Sequence, residues 1–397
     1  MGDSGNVRIT EFVSKAVDEW AEGASQESAD EAVSDYTRYI SRKILFIIAC
    51  IALTMIVVGL SITVGAYEIG FFEAYETIFN HIFGTIQDET MDGVVINMRL
   101  PRIVTGIIAG SGLAICGAAM QGALMNPLAD PYTTGVSSGA GFGATIAIVS
   151  GIELVAGQYG LIINAFVFSL IPTAVIIFVG KVRSASPTVM IMAGIAIMYL
   201  FNAASTLLQL WADPSALQAI YRWTVGSLAN TTWETIPLML AVTLAGVASL
   251  QLLSGKVNLL SAGDETAKTM GVNADRLRII LMILVAIVTA VIVSFTGLIG
   301  FVGLVAPHIV RLFIGSDNRF LFLGSAIFGA ALLVTADVVG RTIIAPAILQ
   351  VGVVTAFLGG PLLLWLVVRK KGVLRRGSRS KAYASDTGTS PSSMGLT

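Results

Sequence analysis

Ten stretches of this sequence are apolar for long enough to reach into or across a lipid bilayer, and that decides most of what the chain can fold into. They run from Lys43 to Val64, Leu100 to Leu124, Thr134 to Ser150, Gly157 to Val179, Thr188 to Trp211, Trp233 to Leu253, Ile279 to Leu298, Phe301 to Ile314, Phe320 to Val339 and Val351 to Val368. About 20 apolar residues span the hydrocarbon core as a helix, so the third and eighth runs are short for a full crossing. With no water inside hydrocarbon, each run has to bond its own backbone, which selects helices. Composition agrees: 12% of residues are charged, against about 25% in a soluble domain, too few to cover a globular surface. The expected fold class is an all-α integral membrane protein with about ten transmembrane helices. The half-polar stretch Pro214 to Ala229 is expected as a helix outside the bilayer core.

Charge divides the chain into three parts. Residues 1–42 form an acidic extension, with nine acidic against three basic residues from Met1 to Ser41. Residues 43–369 hold the apolar runs, and residues 370–397 are a basic tail expected to be disordered. The extension lacks the basic start and short apolar core of a secretory signal. Within it Phe12, Val13, Val17 and Trp20 recur at helical spacing, consistent with a short amphipathic helix or with a partly disordered tail. Arg38, Arg42 and Lys43, then Lys181 and Arg183, then Lys256, Lys268, Arg276 and Arg278, then Arg311 and Arg319, then Arg369 to Arg376 all fall on one side if the chain crosses ten times. Basic loops mark the cytoplasmic side, so both termini are expected in the cytoplasm of a multi-pass cell-membrane protein. The basic tail is explained by that rule without a nucleic-acid partner.

Arg99, Arg102 and Arg341 fall on the opposite face. Either the charge bias is only statistical there, or these groups await an acidic partner. Asp337 is the one clear acidic residue inside an apolar run, and Arg341, one turn later, is placed to pair with it.

Several chemistries are excluded. The two histidines, His81 and His308, and two cysteines, Cys50 and Cys116, are too few for a disulfide framework or a transition-metal cage. No metal site is expected, and His308 is read as structural. Gly135-Val136-Ser137-Ser138-Gly139 matches a serine-hydrolase pattern, but that pattern requires a strand before it and a histidine base. No G-x-x-x-x-G-K-[ST] loop occurs, so ATP would have to be used by a partner. Gly106 with Gly110, and Gly135, Gly139 and Gly143, have the spacing that lets membrane helices approach closely. Between the sixth and seventh runs, Gly263, Asp264, Glu265, Ala267, Met270, Gly271 and Val272 read as a short helix with an apolar ridge of Ala267 and Met270 and a glycine C-cap. It is either a linker or a docking helix for another protein.

The sequence resembles the permeases of the iron-siderophore, haem and cobalamin ABC importers over about Lys43 to Arg369. The resemblance is carried by Arg99-Leu100-Pro101-Arg102, Gly117-Ala118-Ala119-Met120-Gln121, Asn126-Pro127-Leu128-Ala129-Asp130-Pro131, Gly135 to Gly139, Gly263 to Val272, Gly297 to Leu304 with Pro307, His308 and Arg311, and Gly352 to Thr355, in that order. It implies the type II importer architecture: a homodimer of ten-helix subunits with two cytoplasmic ATPase subunits and one extracytoplasmic binding protein. ATP and Mg would be used by the ATPase, and no cofactor would be bound by this chain. It assigns binding-protein docking to Arg99, Arg102 and Arg341, a cytoplasmic gate to Asn126 and Leu128 with a second element at Thr188, and ATPase coupling to Gly263 to Val272. Pro187 departs from the family pattern, which has a small polar residue there, and the acidic extension has no counterpart. The cargo implied is a metal chelate, a ferric siderophore first, with cobalamin and haem as further members. An ion-coupled secondary transporter, working through Asp337, is the alternative.

Overall fold

The computed structural model describes residues 4–65, 67–183, 185–345, 347–365 and 368, with the backbone alone described up to residue 32 and at residue 35. The basic tail lies outside the described residues. Helix α1 runs without a break over Ser4–Thr63, so the acidic extension continues the first apolar run as helix. Then come α2 (Phe71–Phe83), α3 (Glu89–Ala123), a 3-10 turn (Pro131–Thr134), α4 (Val136–Ser150), α5 (Gly160–Arg183), α6 (Pro187–Gln209), α7 (Pro214–Thr224), α8 (Ile236–Ser261), α9 (Asp264–Thr269), α10 (Ala274–Thr296), α11 (Val302–Ile314), α12 (Asn318–Thr342) and α13 (Val351–Trp365). Among the described residues, seven helices are long and apolar enough to cross a membrane, and α4, α11 and α13 are shorter apolar helices. Together they occupy the ten positions expected from the sequence. Helix α7 is the amphipathic segment expected outside the core.

Helix α3 is the central post: 83% of its apolar window is buried. It begins at Glu89, eleven residues before the apolar run, because the polar residues ahead of the run find partners. His81 of α2 contacts Asp92 at 2.9 Å, and Gly93–Arg99 winds as a π-helix. In π register the carbonyl of Ile96 would accept from residue 101, which is a proline without N–H. The Trp233 indole donates to that carbonyl instead, at 2.8 Å.

Two of the most intimate contacts of α3 contain no side chain. A Cβ on Gly117 would lie 1.6 Å from the Gly303 carbonyl oxygen of α11, and one on Gly110 would lie 2.3 Å from the Gly329 carbonyl of α12. Pro307 supplies no N–H to the Gly303 carbonyl one turn earlier, which frees that oxygen to face Gly117. One turn on, Gln121 donates to the Leu304 carbonyl at 3.5 Å and accepts from Arg311 at 2.8 Å. The motif Gly117 to Gln121 is thus the α3 half of a seam with α11.

The apolar part of α1, from Lys43 on, is held at both ends by cations. Near its membrane entrance buried Lys43 lies 3.6 Å from Asp317, with the rings of Tyr39 and Phe320 at 3.8 and 4.5 Å. Asp317 also accepts from Asn258 at 2.8 Å, tying α1, α8 and α12 together. At the other end, Arg99 and Arg341 bond the last carbonyls of α1.

The seam sets a testable limit on volume. G117A is expected to overpack the α3–α11 contact and destabilise the chain by about 3 kcal/mol, read as a lowered unfolding temperature in detergent. G141A, with nothing within 4 Å of its added Cβ, is expected to leave that temperature unchanged or raise it.

Candidate functional site

Three arginines and one carboxylate meet where α1 ends. Asp337 of α12 is buried and accepts from Arg102 of α3, Nη2 at 2.7 Å and Nε at 2.8 Å, and lies 3.0 Å from Arg341 Nε. Arg341 also donates to the Ser61 carbonyl at 3.2 Å, the Val64 carbonyl at 2.6 Å and the Ser61 hydroxyl. Arg99 donates to the carbonyls of Ile62 at 2.5 Å, Thr63 at 2.9 Å and Tyr67. The structure brings Arg99, Arg102 and Arg341 together, and all three are buried. Arg99 and Arg341 spend N–H groups on the open C-terminal carbonyls of α1, where the helix dipole also favours cations, while Arg102 bonds Asp337. One carboxylate faces three guanidiniums, so the cluster keeps a positive excess.

The other end of α3 carries the motif Asn126 to Pro131. Asn126 N–H bonds back to the Gln121 carbonyl at 3.1 Å and Met125 N–H to the Gly122 carbonyl at 3.4 Å, with Met125 in the left-handed region at φ 48°. Asn126 Oδ1 then accepts from Leu128 N–H at 3.0 Å, an Asx turn that leaves the Leu128 side chain 49% exposed. Asp130 caps the 3-10 turn through Thr133 N–H at 2.8 Å. Tyr132 donates to the Ile299 carbonyl at 2.9 Å and accepts from its N–H at 3.1 Å, joining this loop to the Gly297 to Leu304 motif. Ser186 caps α6, Pro187 opens it, and Thr188 is exposed.

Helix α9 lies at this same end. Its C-terminus is a Schellman motif: Val272 N–H bonds the Ala267 carbonyl at 2.8 Å and Gly271 N–H the Lys268 carbonyl at 2.9 Å, with Gly271 at φ 79°. The glycine cap expected from the sequence is present. The apolar ridge is divided, however: Ala267 is 0% exposed and Met270 65%. The six residues of the helix make less than two turns, so the inner side rests on the bundle while Met270 and Glu265 are exposed.

The residues the sequence reading passed over include a polar stripe on α6. Asn202, Ser205, Thr206 and Gln209 stand at i, i+3, i+4 and i+7, the spacing of one helix face, and only 6% of the apolar window of α6 is buried. With Ser137, Ser138, Thr145 and Thr224 they line a cavity of about 280 Å³. A second cavity of about 490 Å³ shares Thr224 and Leu298 with it and is walled by Phe301, Val353, Ala356 and Phe357. The Gly135 to Gly139 motif therefore starts a cavity wall after a 3-10 turn; no strand precedes it, and Ser138 donates to the Gly135 carbonyl at 2.9 Å. The stripe was legible from spacing alone. Arg278 was not, and entered the reading only as a topology charge.

Asn at 337 would leave Arg102 and Arg341 buried without their counter-ion. D337N is expected to destabilise the chain by about 3 kcal/mol, measured as thermal unfolding in detergent, with R102K costing less because one ion-pair contact remains.

Comparison with known proteins matches this arrangement closely. The FecCD transport family model matches residues 53–369. The hemin transport system permease protein of Yersinia pestis is 37% identical over 295 residues, covering 74% of this chain and 88% of that protein. The cobalamin import system permease protein of Halobacterium salinarum is 40% identical over 280 residues, covering 70% and 74%. A solved inward-facing structure of a metal-chelate type ABC transporter superposes with a TM-score of 0.72 at 30% identity, over 81% of this chain and 98% of that one. With most of its length matched by the family model, and its motifs forming the seams and loops of one ten-helix bundle, the chain belongs to the FecCD transport family.

Proposed function

We propose that the chain is the permease subunit of an ATP-driven importer of a metal chelate, working as a homodimer with two ATPase subunits and a binding protein. The observation that carries this is α6, an apolar span whose outward stripe of Asn202, Ser205, Thr206 and Gln209 is unfavourable against lipid. A second copy of the chain facing it would remove the stripe from lipid and close the two cavities into a passage. The lining is uncharged. That suits a metal whose coordination is already filled by its chelator, because hydrogen bonds and apolar contact can guide such a cargo without competing for the metal. Hemin and cobalamin, named for the two relatives, are of this kind; ferric chelates are the first class to test.

In this reading the α9 end is cytoplasmic, with both termini on that side of the cell membrane, and Glu265 and Met270 contact the ATPase. Asn126, Leu128 and Thr188 form the cytoplasmic gate. The binding protein docks at the Arg99, Arg102 and Arg341 end, whose positive excess attracts acidic side chains from outside. The sequence contains no phosphate-binding loop, so ATP and Mg belong to the partner and this chain breaks no covalent bond. Its work is alternating access. Asp337 is engaged by two arginines, which supports a structural role over the proton or cation relay an ion-coupled carrier would need.

Two measurements test the proposal. Purified gently from native membranes, the chain is expected to bring an ATPase subunit with it, and a form with Glu265 and Gly271 both changed to Ala is expected to lose it. A chain that emerges alone and transports in liposomes without ATP would overturn the importer. Raising the salt from about 0.05 to 0.5 M is expected to weaken binding-protein affinity about tenfold or more while the ATPase still copurifies, which also reports that the chain is folded.

A further inference from the structure

Arg278, on the first turn of α10, is the largest side chain with no exposure to solvent. Its planar guanidinium donates in three directions at once. Nε bonds the Ala123 carbonyl at 2.9 Å, Nη1 lies 3.4 Å from the Ala185 carbonyl, and Nη1 and Nη2 take both oxygens of Asp264, the former at 2.9 Å. Asp275, one turn before it, stands at 3.9 Å. Ala123 is the last residue of α3 and lies three positions before Asn126. Ala185 lies three positions before Thr188. Asp264 is the first residue of α9.

We propose that Arg278 is the positioning residue that transmits movement of α9 to both gate segments at once. The inference rests on the importer reading and deepens it. A guanidinium is rigid and planar, with its five N–H groups in a fixed fork. The two carbonyls it holds are helix-end or loop acceptors with few other donors available, and it has no water to fall back on. A buried cation that loses its carboxylate is strongly destabilised, so when Asp264 shifts, Arg278 shifts with it. The bidentate carboxylate is within reach of the surface: Asp264 is 34% exposed while Arg278 is fully enclosed. The hydrogen bond from Arg278 also holds the Asp264 carboxyl below its ordinary value. A depressed carboxylate keeps its stabilising contact above the ordinary pKa and loses it only as the pH falls through the lowered one, so the bidentate pair persists throughout the neutral range. Lys268 adds a favourable charge on the same carboxylate, and no other described acid is paired with Arg278 besides Asp264 and Asp275.

A merely structural role and a transmitting role differ in the coupling ratio, transport per ATP hydrolysed, in the assembled importer reconstituted with its ATPase and binding protein. R278K keeps the charge but offers a single nitrogen, which cannot hold Asp264 and both carbonyls together. It is expected to retain the companion ATPase and to lower the coupling ratio about tenfold or more, the value of a charge-assisted hydrogen bond. D264N, which leaves both carbonyl contacts in place, is expected to lower the ratio to the same extent. If R278K fails to assemble, D264N carries the test, since Asp275 at 3.9 Å still leaves Arg278 an acidic partner. A wild-type coupling ratio in D264N, or transport that falls only in proportion to ATP hydrolysis in both variants, overturns the assignment. Failure of the importer reading shows separately, as absence of an ATPase from the unmodified chain.

Discussion

Backbone carbonyls that lack a helical partner are the constraint on which this structure turns. In water a helix end is hydrated; in a bilayer each open acceptor has to find a donor within the protein. This chain meets that need with long side chains from other helices. Arg99 and Arg341 close the end of α1, Trp233 closes the π turn of α3, Gln121 takes a carbonyl of α11, and Arg278 closes α3 and the loop before α6. Each such bond joins elements distant in sequence, so satisfying the backbone and assembling the bundle are one event. A buried arginine suits this task because it never loses its charge and can serve several acceptors in one plane.

The consequence is that charge here has two uses that a sequence does not separate. The ten apolar runs, the amphipathic α7 and the Asp337–Arg341 pair are legible from hydropathy and spacing. Which way a side chain turns is a tertiary matter. Arg99, Arg102 and Arg341 were read as outward groups; in the structure they turn in toward α1 and Asp337, and only their excess charge is left for a partner. Ala267 and Met270 share helical spacing, but only Ala267 packs on the bundle, while Met270, next to the Gly271 cap, is exposed. The start of α3 at Glu89 is not legible because Asp92 is matched by His81 of α2 and the Ile96 carbonyl by Trp233, and neither contact leaves a periodic signal.

The polar stripe on α6 was within reach of pattern reading, since Asn202, Ser205, Thr206 and Gln209 fall at helical spacing. It escaped notice because the run as a whole is apolar enough to pass for an ordinary span. Burial supplies what hydropathy cannot: α10 has 67% of its window buried and α6 has 6%, so the same kind of residue that packs inside one helix is left facing outward on the other. In the proposed dimer a second copy would cover this face, and the two cavities would become half-walls of one passage.

Helix α3 has 35 residues, a length of about 50 Å. Where it meets α11 and α12 at Gly117 and Gly110, backbone lies on backbone, and no rotatable side chain sits in the joint to absorb strain. Thirteen residues from its start is the ion pair of Arg102; at its last residue is the carbonyl held by Arg278. Such a member behaves as a pushrod with little dead travel. A load applied beside α1 reaches the far face of the bundle as displacement rather than being dissipated in rotamer changes, which gives events on opposite sides of a membrane a stiff mechanical line between them.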